Sequence, residues 1–224
     1  MPTPSDLIAA VNADDAAEVA SLLSADPALA GARDAHGVSA LMLSKYRFAR
    51  DVTAALLAAD PELDVYEAST LGYADRLRTL LHDDPRLATA FSPDGFTALH
   101  FAAFFGKAES ARILLDAGAA VDAYSQNPFG VQPLHSAAAG RHHEVCRILV
   151  AAGPDVNATQ QDRYTPLHAA AQHGDDELVE LFVSAGADRH ARLANGQTPA
   201  DTAAANGHAD IAARLRSLEA GNPG

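Results

Sequence analysis

The chain has 224 residues, of which 48% are hydrophobic, and carries 16 Lys and Arg against 29 Asp and Glu for a net charge of -13. That apolar share excludes a disordered chain, and the acidic excess disfavours docking on nucleic-acid phosphates or anionic membranes. The single cysteine, Cys146, excludes an internal disulfide and a four-cysteine zinc site, and no apolar run reaches the roughly 18 residues of a membrane span.

Residues 5–23, SDLIAAVNADDAAEVASLL, read as an opening helix pair. A start of MPTPSDLIAAVNADD, with no basic region and no long apolar stretch, carries no secretory pattern, so a cytoplasmic protein is expected. Residues 39–57 read as a second helix pair with Ser39 at the cap position and Leu41 as an apolar anchor. Residues 65–81, VYEASTLGYADRLRTLL, keep a helix–Gly72–helix plan with no preceding hairpin turn. These three units close on ADPAL (25–29), ADPEL (59–63) and DDPRL (83–87), where Pro27, Pro61 and Pro85 cannot continue a helix.

The second half is more regular. TALHFAAFFGKAESARILLDAGAAVDA (97–123), QPLHSAAAGRHHEVCRILVAAGPDVNA (132–158) and TPLHAAAQHGDDELVELFVSAGADRHA (165–191) align without gaps, and a fourth copy opens at 198 with TPADTAAANGHADIAARLRSL. The starts are 35, 33 and 33 residues apart. The pattern strongly resembles the ankyrin repeat, whose T-P-L-H opening and period it reproduces. The degenerate front half with its DPxL joints is similar to that of a group of bacterial ankyrin-repeat proteins.

Each letter has a physical reading. Thr97, Thr165 and Thr198 stand where a helix wants a capping oxygen, followed by Pro166 and Pro199 at the first helical position. His100, His135 and His168 fall three residues beyond the cap position and can bond back to it, a structural capping role. Met42 takes that position in the second unit. Small residues follow, Gly106, Gly174 and Gly207 supply left-handed turns, and the second helices carry apolar residues at helical spacing. In the fifth unit Arg141 replaces the turn glycine and Gln132 the cap threonine, so local strain is expected there.

The expected fold is all-α, an ankyrin-repeat α-solenoid of about seven helix pairs with short β-hairpin-like loops. It forms a single domain over residues 1–220, with units at 4–33, 34–63, 64–91, 92–126, 127–159, 160–192 and 193–219 and a flexible tail at 220–224. Arg214 and Arg216 suit the dipole at the last helix end.

Catalytic chemistry finds no constellation. Cys146 matches Ala111 and Val179 in neighbouring units and reads as a small buried hydrophobe. The acid pairs Asp14–Asp15, Asp83–Asp84 and Asp175–Asp176 read as solvated cap residues, and Asn157 as a structural turn residue. His142, His143 and His173 fall near matching turns but lack a completing carboxylate or cysteine spacing, so no metal and no cofactor is expected.

The resemblance implies that partners dock on the concave side, formed by hairpin tips and the exposed face of the first helices. Carried over by position, that side includes Phe96, Phe129, Val131 and Tyr164 on the tips, and Tyr46, Arg47, Phe104, Phe105, Gln172 and His173 on the helices. Seven of the chain's 13 Phe and Tyr fall between 91 and 129, and YSQNPFGVQ (124–132) holds two extra residues that lift Phe129 outward. Clustered exposed aromatics have the composition of an interface hot spot; the plainer alternative is that they pack on one another under the longer loop. The expected function is a non-enzymatic, monomeric module binding a protein partner of basic rim, without nucleic acid or membrane. The alternative is a small-molecule or metal sensor using the aromatics or the His142, His143 and His173 turns.

Overall fold

The computed structural model describes residues 1–217, so the tail expected at 220–224 lies outside the described residues. They form fourteen α-helices in seven pairs: α1 (Pro4–Asn12) with α2 (Ala16–Ala25), α3 (Ala40–Tyr46) with α4 (Arg50–Ala58), α5 (Val65–Leu71) with α6 (Ala74–Asp83), α7 (Ala98–Phe104) with α8 (Ala108–Asp116), α9 (Pro133–Ala139) with α10 (His143–Ala151), α11 (Pro166–Gln172) with α12 (Asp176–Ser184), and α13 (Pro199–Ala205) with α14 (Ala209–Ser217). From α5 onward each first helix packs on the next first helix, and from α6 to α12 each second helix on the next second helix. The result is the α-solenoid expected from the repeat period.

Reciprocal caps start the first helices. Thr97 accepts the His100 backbone N–H while His100 Nδ1 accepts the Thr97 N–H at 3.2 Å. With Nδ1 accepting, the opposite ring nitrogen carries the proton, and Nε2 donates to the Val131 carbonyl of the next unit at 2.9 Å. His135 and His168 repeat this bridge to the Ala158 and Gln197 carbonyls. Thr3 with Asp6, Asp64 with Glu67 and Thr198 with Asp201 use a carboxylate for the same return bond. Gln132 departs from this scheme: its Nε2 turns to the Asp122 carbonyl, and its buried Oε1 has no partner.

The expected strain in the fifth unit has a definite address. Gly106 and Gly174 take φ of +66° and +64°, whereas Arg141 takes +55° with a side chain in place. A left-handed non-glycine residue costs about 1–2 kcal/mol. The Arg141 Nε offsets part of this by donating to Asp175 at 2.8 Å.

One expectation needs correction. Asp175 is buried, not solvated: it caps α12 and also receives Arg141 and His143, because both side chains close over it from the preceding unit. Two DPxL joints wind into 3-10 turns at Pro27–Gly31 and Pro85–Ala88 capped by Asp26 and Asp84, while ADPEL runs irregularly into α5. The apolar interior falls into two clusters. One cluster runs from Leu7 to Leu63, with Leu71 of the third unit packed against it, and a second from Val65 to Leu215, and polar contacts add to the joint between units two and three. There Arg33 pairs with Asp64 at 3.0 Å, and the Thr70 hydroxyl lies 3.4 Å from the Met42 sulfur.

On the outer side, Arg78, Arg112 and Arg147 pair with Glu109, Glu144 and Glu177 of the following units. Exposed pairs of this kind contribute little each and chiefly set register.

Candidate partner-binding site

The third unit has no hairpin tip, so the tips of units two and four close over it. Gly37 of the second tip lies against Pro93 of the fourth. The fourth tip is fixed by the Phe91–Thr97 bridge and by Ser92 N–H to the Phe96 carbonyl at 2.8 Å. Its Gly95, at φ +83°, lies so close to the next loop that an added Cβ would sit 2.8 Å from the Gln126 carbonyl. Glycine is required there on both counts. Gln126 N–H donates to the Gly95 carbonyl at 2.7 Å, and the Asn127 amide to the Asp94 carbonyl at 2.9 Å.

These tips and helices enclose an open cavity of 380 Å³ lined by Tyr46, Asp94, Phe96, Phe101, Phe104 and Phe129, with His100, Asn127 and Ser136 completing the wall. Phe101 is its floor. It is buried, and its ring meets Phe96 edge-to-face at 5.7 Å, Tyr66 at 5.9 Å and Tyr46 at 6.3 Å. Phe104 is 44% exposed and Phe129 60%, so both stand at the rim with free ring surface. Phe129 is held out by its backbone N–H on the Asn127 side chain. The Tyr46 hydroxyl donates to the Asp94 carboxylate, and burial with that neighbour pushes the phenol far above its ordinary range. His100 is held neutral, its pKa lowered to about 4 by burial.

The other expected residues lie elsewhere on the surface. Phe105 is half-buried, set edge-to-face against Phe104 at 5.0 Å with the Lys45 ammonium 5.1 Å above its ring, and does not line the cavity. Val131 is half-buried, and its carbonyl serves His100. Tyr164 and Gln172 join each other through a 2.6 Å hydrogen bond, forming a separate polar spot with exposed His173 beyond it. Arg47 is exposed at the end of α3. The aromatic run divides: Phe101 is buried, while Phe104 and Phe129 are exposed.

The histidine turns do not converge. His142 reaches back to the Phe104 carbonyl at 2.9 Å, while His143 bonds Asp175 at 2.8 Å and Glu177 at 2.9 Å. Among the described residues, no group of three or more His, Cys, Asp or Glu is placed to hold a metal. Cys146 is buried, which pushes its thiol to about 12. Asn157 ties its turn to the next unit, donating to the Gly186 carbonyl and accepting Asp188 N–H. Among the described residues no helix is long and apolar enough to cross a membrane.

Sequence reasoning passed over Asp94, Asn127 and Ser136. The D-G turn at Asp94–Gly95 was the available signal for the first, since such a pair marks a hairpin tip. Nothing local marked the other two as wall residues.

A family model described as ankyrin repeats, in three copies, matches residues 65–160 and 152–222. No curated protein matches the chain.

Proposed function

The chain belongs to the ankyrin-repeat family, whose members are generally protein–protein interaction modules, and on that premise we propose that it is a non-enzymatic module whose partner docks on the concave face at the aromatic cavity. One observation carries the reading: Phe104 and Phe129 stand exposed at the rim of a preformed cavity floored by Phe101. Large aromatics at the edge of a pocket are the usual anchors of an interface, because they bury much area at low entropic cost. Tyr46 and Phe96 extend the wall, and Tyr164, Gln172, His173 and Arg47 form the outlying contact surface. Phe105 and Val131 support the cavity from behind it. The protein acts as a cytoplasmic monomer, and its net charge of -13 selects a partner with a basic rim, raising the on-rate more than the affinity.

The test compares wild type with a Phe104→Ala/Phe129→Ala double variant in capture from native cells. Phe104 is 44% and Phe129 60% exposed, and circular dichroism of the variant checks that the fold is retained. Its partner should be depleted at least about tenfold. Equal recovery by both proteins overturns the reading. A small-molecule sensor using the same cavity is the second reading, favoured by a volume within the small-ligand range. It predicts a thermal shift with a metabolite and none with the partner.

A further inference from the structure

We infer that the cavity accepts an arginine side chain of the partner, with the guanidinium stacked on the aromatic walls and hydrogen-bonded to Asp94. This rests on the docking surface proposed above and specifies its occupant. Three observations converge on it.

The first is charge. Five aromatic rings line the cavity together with one carboxylate, and no Lys or Arg is among the lining residues. Ring faces are the negative end of the aromatic quadrupole, so the rings and Asp94 favour the same sign of ligand charge. The nearby Lys45 is occupied above Phe105, outside the cavity.

The second is the hydrogen-bond inventory. The donors in the wall are turned inward: Tyr46 O–H to the Asp94 carboxylate, Asn127 Nδ2 to the Asp94 carbonyl, and His100 Nε2 to the Val131 carbonyl. The Asp94 carboxylate also accepts the Ser92 hydroxyl. Two bonds leave about half of a carboxylate's acceptor capacity open. The Ser136 hydroxyl stands in the same wall. A wall whose Tyr46, Asn127 and His100 groups already donate elsewhere, and whose Asp94 carboxylate and Ser136 hydroxyl can accept, suits a ligand that only donates. Guanidinium has five N–H donors and no acceptor.

The third is shape. A planar, weakly hydrated guanidinium stacks on aromatic faces while its edge meets a carboxylate, whereas a lysine ammonium is a strongly hydrated point charge. The edge-to-face setting of Phe96 on Phe101 gives walls at an angle, open at Phe104 and Phe129. The long aliphatic stem of arginine passes along that apolar rim.

The experiment titrates the full chain with Nα-acetyl-arginine methylamide, with its neutral isostere built on citrulline, and with the lysine amide. Binding is followed by the aromatic resonances of Phe96, Phe104 and Phe129. The arginine amide should bind at least about tenfold more tightly than the citrulline amide, and Asp94→Asn should bring that ratio close to one. A Phe129→Leu variant, which keeps apolar bulk without a ring face, should weaken the arginine amide several-fold and leave the citrulline amide unchanged. Citrulline or lysine binding as tightly as arginine overturns the inference. If the arginine amide moves none of the three rings while partner capture still depends on Phe104 and Phe129, the guanidinium assignment falls and the docking surface stands. If capture is also indifferent to those rings, both fall.

Discussion

The hydroxyl of Tyr46, at the end of the second unit's first helix, donates to the carboxylate of Asp94 at the tip of the fourth unit, 48 residues away. The bond crosses a unit that has no tip of its own and so fixes one wall of the aromatic cavity. Replacing Tyr46 with Phe keeps the ring and removes the donor. Stability should fall by about 1.5 kcal/mol, the value of a hydrogen bond to a charged group, and amide exchange should accelerate at residues 92–96. Unchanged exchange at that tip would refute the bridging role.

Acid should loosen the stack through the bridging histidines. Burial lowers the pKa of His100 to about 4, and those of His135 and His168 also lie below their ordinary value of 6.5. With folded pKa values depressed, the unfolded chain takes up protons first. The contribution is therefore full above pH 6.5 and is lost as pH falls toward 4. For His100 alone the loss is about 3 kcal/mol. Denaturant midpoints from pH 7.5 to 4.5 should fall steadily in the wild type and more shallowly in His100→Gln.

Gly106 carries two constraints that can be separated. Its φ is +66°, and an added Cβ would lie 2.5 Å from His142 Nδ1. Gly118, at +88°, faces open space. Gly118→Ala should cost about 1 kcal/mol from backbone strain, and Gly106→Ala at least about 2 kcal/mol. In a His142→Ala background the excess should vanish, which a double-mutant cycle reads directly. An excess that survives there would mean the histidine is not the obstacle.

Two aspartates cap second helices in different surroundings. Asp15 is exposed and accepts only the Glu18 N–H, whereas buried Asp175 accepts Leu178 N–H, Arg141 and His143. Burial alone would raise the Asp175 carboxyl, but the bonds from Arg141 and His143 hold it below the ordinary range. Asp15→Ala should cost about 1 kcal/mol and Asp175→Ala about 3 kcal/mol by urea unfolding. Similar losses at the two sites would show that the fifth-unit contacts onto Asp175 contribute nothing.

Cys146 should ignore thiol reagents in the native state. Its thiol is buried and shifted to about 12, so no thiolate is presented near neutral pH. An aromatic disulfide reagent should label it only as denaturant unfolds the chain. Rapid stoichiometric labelling of native protein would contradict the burial.

The repeat period, the Thr–x–x–His caps, the left-handed glycines and the seven helix pairs were legible in the sequence. They are local: a cap, a turn or an apolar stripe is fixed by residues three or four positions apart. The register of Cys146 followed from the same period, and the outward position of Phe129 from the two residues inserted into it. What the tertiary structure alone decided is which aromatics share one space. Phe96, half-buried, lines one cavity with the exposed Phe104 and Phe129, but Phe105 turned away under Lys45, and Asp94, Asn127 and Ser136 entered the wall unannounced. The physical reason is the absent tip of unit three. It lets Tyr46 and Asp94 meet across an intervening unit, a contact that no 33-residue period encodes. Repetition specified the stack, and one break in the repetition specified the cavity.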